Sequence, residues 1–142
     1  MRAVESQWWI IELPDEWEAE QDEETILISD EDGVGEIAIT TLQKEDGTVE
    51  DGELLLYTED IDAQFGKGSV VELAGFKGYY YSYQEDGDAL REWYLRSEDL
   101  LLLVTYSCDL ENAGMDDGAV DEILSTLFIK SPEERVDLQP EN

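Results

Sequence analysis

Leu100-Leu101-Leu102-Leu103-Val104 is an aliphatic run with no polar side chain. In a strand, successive side chains point to opposite faces, so such a run needs both faces of its sheet covered. A helix could hold the same residues. However, Val104-Thr105-Tyr106 at its end and Trp93-Tyr94 before it are β-branched or aromatic, which favours strand. Ser97-Glu98-Asp99 divides it from a second extended segment, so Ala89 to Cys108 is expected to form a hairpin at the centre of a sheet, packed on each side.

The rest of the chain punctuates into similar short segments. Trp8-Trp9-Ile10-Ile11 reads as an opening strand stopped by Pro14, which cannot donate to a ladder. Trp17–Glu20, Thr25–Ile28 and Gly35–Leu42 follow as strands separated by polar turns, with the spacing of consecutive hairpins. The period then changes. Leu54, Tyr57, Ile61 and Phe65 recur three to four apart between Glu50 and Gln64, which predicts an amphipathic helix closed by Gly66 and Gly68. Val70–Leu73 and Tyr79–Tyr83 return to strand and lead into the central hairpin. A second helix is expected over Asp116 to Phe128, with Val120, Ile123, Leu124, Leu127 and Phe128 as its apolar stripe. The fold class is therefore α+β: an antiparallel sheet of about 6–8 strands with two helices packed on it, a layered sandwich. Residues 1–130 form one domain, and 131–142 an acidic C-terminal tail.

Charge narrows the functions open to such a domain. There are 38 acidic and 8 basic side chains, a formal net charge of -30, alongside 42% hydrophobic residues that are ample for a core. Charge of this sign repels nucleic acid and anionic membranes, and Lys44, Lys67, Lys77 and Lys130 do not cluster into a phosphate-binding patch. The lone Cys108 cannot form an internal disulfide, and neither a signal peptide nor a membrane span is visible, so a cytoplasmic protein is expected.

ELPDEW (12–17), a strand ending in Pro with a Trp shortly after, is similar to the opening of PsbP/Mog-like proteins. REWYLRSEDLLLLVTYSC (91–108) followed by VDEILSTLFIK (120–130) resembles their last hairpin and last helix. The resemblance implies an antiparallel sheet sandwiched by helices. It implies no single activity, since the group includes a Ran-GTPase-binding protein and an extrinsic photosystem II subunit, and it places no functional residue on this chain.

The chemistry within reach is limited. Without histidine, Ser-His-Asp and Cys-His mechanisms and the commonest zinc, iron and copper ligand sets are excluded. Asp30-Glu31-Asp32-Gly33 resembles part of a calcium loop. Ile28 and Ile39 nevertheless stand where an EF-hand needs ligands. No phosphate-binding glycine motif occurs, and no cofactor is expected.

Aromatic residues are the remaining candidates. Tyr79, Tyr81 and Tyr83 share one face of their strand and Tyr80 the other. Packed beneath helices they are ordinary core. Exposed beside Glu85, Asp86 and Asp88 they would instead supply aromatic anchors with acidic steering, the make-up of a protein-binding face. The expectation is thus a small, non-enzymatic protein-binding module of the adaptor, inhibitor or immunity kind. Its partner would be a basic protein, docking at Tyr79, Tyr80, Tyr81, Tyr83, Glu85, Asp86 and Asp88. Two alternatives stand beside it: an enzyme using carboxylates with a divalent cation, and a salt-adapted domain whose charge is unrelated to partners.

Overall fold

The computed structural model describes residues 2–31 and 33–130. Its strands are β1 (Arg2–Glu5), β2 (Trp9–Leu13), β3 (Trp17–Asp22), β4 (Thr25–Asp30), β5 (Gly35–Gln43), β6 (Ser69–Leu73), β7 (Phe76–Glu85), β8 (Asp88–Ser97), β9 (Leu100–Asp109) and β10 (Phe128–Ile129). The helices are α1 (Asp51–Phe65) and α2 (Asp117–Ser125), with a short 3-10 turn at Leu110–Asn112 before α2.

Seven strands make one antiparallel sheet in the order β3-β4-β5-β9-β8-β7-β6, so the aliphatic run of β9 is its middle strand. β5 leads into α1, which crosses the sheet to its far edge. The chain then returns strand by strand until β9 pairs with β5. The β7–β8 turn is Asp86-Gly87 and the β6–β7 turn is Ala74-Gly75. Each has two successive positive φ values, the conformation that suits the twist of a two-residue hairpin.

One face of this sheet carries the main core. Leu100, Leu102, Val104 and Tyr106 of β9 point there with Ile37 and Ile39 of β5 and Ile26 and Ile28 of β4. A second, three-stranded sheet in the order β1-β2-β10 and helix α2 close over them, through Trp9, Ile11, Leu13, Val120, Ile123 and Leu124. The fully buried Trp9 ring donates from Nε1 to the Thr41 hydroxyl at 3.0 Å, which pins the small sheet to β5. On the opposite face α1 packs over β7 and β8, burying Leu54 with Leu101 and Val49. The antiparallel sheet with a helix on each side is as expected, α1 on one face and α2 on the other; the small second sheet beside α2, which takes the opening strand β2, was not. Leu103 and Leu42, however, pack against the Leu54 cluster and stay only half-buried, because α1 lies mainly over β7 and β8.

Three further details differ from expectation. Strand β1 was not anticipated, since Arg2-Ala3-Val4-Glu5 has no alternation; it forms because β2 offers it a free edge, with Val4 opposite Ile11. In α1 the inward position expected of Tyr57 belongs to Thr58, whose hydroxyl reaches the Leu55 carbonyl and Asp62. Tyr57 is 48% exposed and Phe65 40%. Helix α2 ends at Ser125, not Phe128. Thr126 bonds back to Ile123 O at 2.6 Å and accepts the Glu12 N–H at 2.9 Å, turning Phe128-Ile129 into a strand beside β2. The acidic tail expected over 131–142 lies outside the described residues.

Candidate functional site

Strand β7 divides its tyrosines as alternation requires. Tyr79, Tyr81 and Tyr83 face the α1 side, while Tyr80 faces the main core side next to Trp93, ring centroids 5.0 Å apart. No single platform unites the four. Tyr81 is buried, and Tyr79, Tyr80 and Tyr83 are half-buried.

Each of these phenols has a defined partner. Tyr79 donates to Asp51 at 2.8 Å and Tyr81 to Asp62, so both ends of α1 are tied to β7 through carboxylates. Tyr83 donates to Glu92 Oε2 and Tyr94 to Glu92 Oε1, each at 2.6 Å, and Phe65 stacks on Tyr83 at 4.3 Å. Tyr80 accepts from Arg91 Nε at 2.7 Å. On the other side of the sheet Tyr106 donates to Asp116 at 2.7 Å. A phenol bonded to a carboxylate in a poorly solvated place resists losing its proton. Burial, then the Glu92 carboxylate, push Tyr83 and Tyr94 well above the usual tyrosine range. Burial and then Asp116 do the same for Tyr106, and burial and then Asp62 raise Tyr81. For Tyr79 the bond to Asp51 leads and burial adds to it.

The tyrosine half of the expected site is thus engaged in holding α1 and the sheet together. Its acidic half stands apart: Glu85, Asp86 and Asp88 are exposed at the β7–β8 turn, with Glu85 accepting from Gln64 at 3.1 Å. Beside that turn lies a cleft of about 580 Å³ between β7, β8 and the segment leading into α2. Arg91 lines it, but its guanidinium bonds Asp121 at 2.7 Å and lies 4.7 Å from the Trp93 ring centre, so its donors serve the fold. Cys108, also on the wall, is buried, and the chain has no histidine to activate it. Among the described residues, no three carboxylate or thiol groups converge as metal ligands, and no helix is long and apolar enough to cross a membrane.

Charge is distributed less evenly than the acids alone suggest. Lys44 pairs with Glu53 at 2.6 Å, Arg96 with Asp51 at 3.6 Å, and the buried Lys130 with Glu5. From residue 3 to residue 43 the chain has thirteen acids and no Lys or Arg. That segment supplies β3, β4 and β5, one half of the seven-stranded sheet. Glu18, Glu20 and Asp22 of β3 and Glu36 of β5 are exposed on the same outward face, a set that reasoning from motifs missed. The absence of cations from this stretch was the signal that could have found it.

No family model and no curated protein matches the chain. Solved structures do resemble it. A crystal structure from Bacteroides thetaiotaomicron VPI-5482 superposes with a TM-score of 0.67 at 15% identity, over 89% of this chain and 46% of that one. The chain thus spans less than half the length of that protein. LpqN of Mycobacterium tuberculosis, a protein involved in cell envelope biogenesis, gives a TM-score of 0.55 at 15% identity, covering 87% of this chain and 83% of its own. CyanoP, the cyanobacterial PsbP of Synechocystis sp. PCC 6803, follows more loosely with a TM-score of 0.44 at 11% identity, covering 87% and 88%. At these identities the likeness is one of fold.

Proposed function

We propose that this protein is a non-enzymatic binding module whose acidic exterior captures a basic protein. The observation that carries the reading is the disposition of its cations. Of the seven Lys and Arg among the described residues, Lys44, Arg91, Arg96 and Lys130 are paired with acids of the same chain and Arg2 donates to the Trp17 carbonyl, which leaves the exposed Lys67 and Lys77 to offset the many remaining acids. A surface of one sign steers an oppositely charged partner and rejects others. Charge that served only to keep the chain dissolved would account for the surplus, but not for its concentration in a cation-free stretch of 41 residues, 3 to 43. A cytoplasmic location is part of this proposal, since a free thiol such as Cys108 stays reduced there. The proposal also keeps the chain as a remote relative of the PsbP/Mog-like proteins, since ELPDEW spans the β2–β3 corner and VDEILSTLFIK runs from α2 into β10.

Immobilised protein exposed to lysate of its source organism tests this. At low salt at least one basic protein should be retained, identified by mass spectrometry, and released at about 0.5 M salt, where charges more than a few ångströms apart are screened. If only acidic or neutral proteins are retained, or release is insensitive to salt, the steering reading fails.

A further inference from the structure

One row of side chains crosses the outward face of the large sheet in register: Glu20, Leu27, Ala38, Thr105, Glu92 and Tyr81. Its Tyr81–Glu92 end lies under α1 and is buried. From Thr105 outward the cover stops. Leu27, Ala38, Thr40 and Thr105 are half-buried, and Glu20 at the edge is exposed. The result is a shallow floor of methyls and hydroxyls, bounded by α1 on one side and by Glu18, Glu20 and Asp22 of β3 on the other, with Glu36 at one end. The α1 flank that reaches toward β5 carries Glu53, bonded to Lys44, and one turn on the exposed Tyr57.

We propose that this uncovered half of the sheet is the docking surface for a lysine- or arginine-rich amphipathic segment of a partner protein; the inference rests on the binding reading above and names its site. Complementary charge selects the occupant. A second copy of this chain would bring another -30 against the same rim. Guarding an edge strand against pairing explains charges on β3, but lysine serves that purpose at least as well, and none is present. Nor does edge protection explain Glu36 on β5, a strand paired on both sides. The floor offers apolar contact for alternate side chains and the rim offers carboxylates for the cations between them, which matches an amphipathic basic segment.

The test uses a fluorescein-labelled lysine–leucine peptide as probe, with affinity read by anisotropy at low salt. Glu18→Lys/Glu20→Lys should weaken binding by about tenfold or more, since it reverses the rim. Glu85→Lys/Asp88→Lys makes the same change in net charge at the β7–β8 turn and should leave the affinity within about twofold, because that turn is not part of the surface. All four positions are exposed, so both variants should fold, as circular dichroism would verify. In the unmodified protein, amide shifts on peptide addition should gather at Leu27, Ala38 and Thr105. Equal weakening in the two variants, or shifts centred on Tyr79–Tyr83, overturns the assignment of this surface while leaving a basic partner in place. Failure of the unmodified protein to bind the peptide overturns the surface and the binding reading together.

Discussion

The Tyr94 hydroxyl donates to Glu92 Oε1 at 2.6 Å from two residues along the same strand, while Tyr83 from the neighbouring strand takes the other oxygen. One buried carboxylate thus satisfies two phenols beneath the crossover helix. Replacing Glu92 by Leu leaves both donors without an acceptor. Such a loss costs about 2–4 kcal/mol, against about 1–2 kcal/mol for Tyr94→Phe, which removes a single charge-assisted bond. Urea unfolding measures both. A Glu92→Leu protein no less stable than Tyr94→Phe would show that the shared carboxylate is not structural.

Five tyrosines, Tyr79, Tyr81, Tyr83, Tyr94 and Tyr106, hold their protons more tightly in the folded chain than tyrosine ordinarily does. Above the ordinary value of about 10 the unfolded chain loses protons that the folded chain keeps, so rising pH favours unfolding. The stability these groups contribute is complete below pH about 10 and declines as pH climbs toward their raised folded values. Urea midpoints should hold steady from neutral pH to about 9 and then fall, and absorbance of tyrosinate should rise in step with unfolding. Ionisation of these five at their usual pH without unfolding would contradict the phenol–carboxylate pairs.

Neighbouring leucines of β9 should respond unequally to a charge. Leu102 is fully buried between the two sheets, so Leu102→Asp strands a carboxylate in the main core and should prevent folding. Leu103 points to the face that α1 covers only in part, and Leu103→Asp should leave a folded protein with a lowered melting temperature. Equal damage from both would mean that the outward face of β9 is covered as completely as the inward one.

Gly78 sits where β7 passes close to β8. An added Cβ there would lie inside the contact distance of the Tyr94 carbonyl, a backbone atom that cannot swing away. Gly78→Ala should cost about 2–4 kcal/mol, in the range of overpacked core sites, and displace the Tyr79–Tyr94 cross-strand pair. Thermal unfolding checks the cost. A neutral Gly78→Ala would show that the two strands can separate freely here.

What the sequence made legible follows from how local each signal is. Leu100–Val104 announced a strand with apolar residues on both faces, and it became the middle of the large sheet, where a strand has neighbours on each side and a layer over each face, although the cover over Leu103 is incomplete. Period-two runs and the polar turns between them marked the hairpins for the same reason. Strand β1 was invisible, since its pairing depends on the free edge of β2 and not on its own pattern. Tyr57 and Thr58 exchanged roles because a hydroxyl satisfied within the helix can be buried at little cost. The tyrosines of β7 were found, but not their acceptors. Asp51 and Asp62 reach them only through the crossover of α1, a long-range relationship with no local trace. The cation-free stretch from 3 to 43 was present in the sequence, yet that four of its acids, Glu18, Glu20, Asp22 and Glu36, share half of one face needed the strand order.

Calorimetric titration of the unmodified protein with the lysine–leucine peptide tests the central claim most directly, at about 0.05 M and about 0.5 M salt, where the screening length falls from roughly 14 to roughly 4 Å. The account predicts saturation at one peptide per chain at the lower salt and loss of that binding at the higher. Several peptides taken up per chain without a plateau, or no heat at low salt, would contradict it, because charge spread over the whole exterior, and not one docking face, would then describe the molecule.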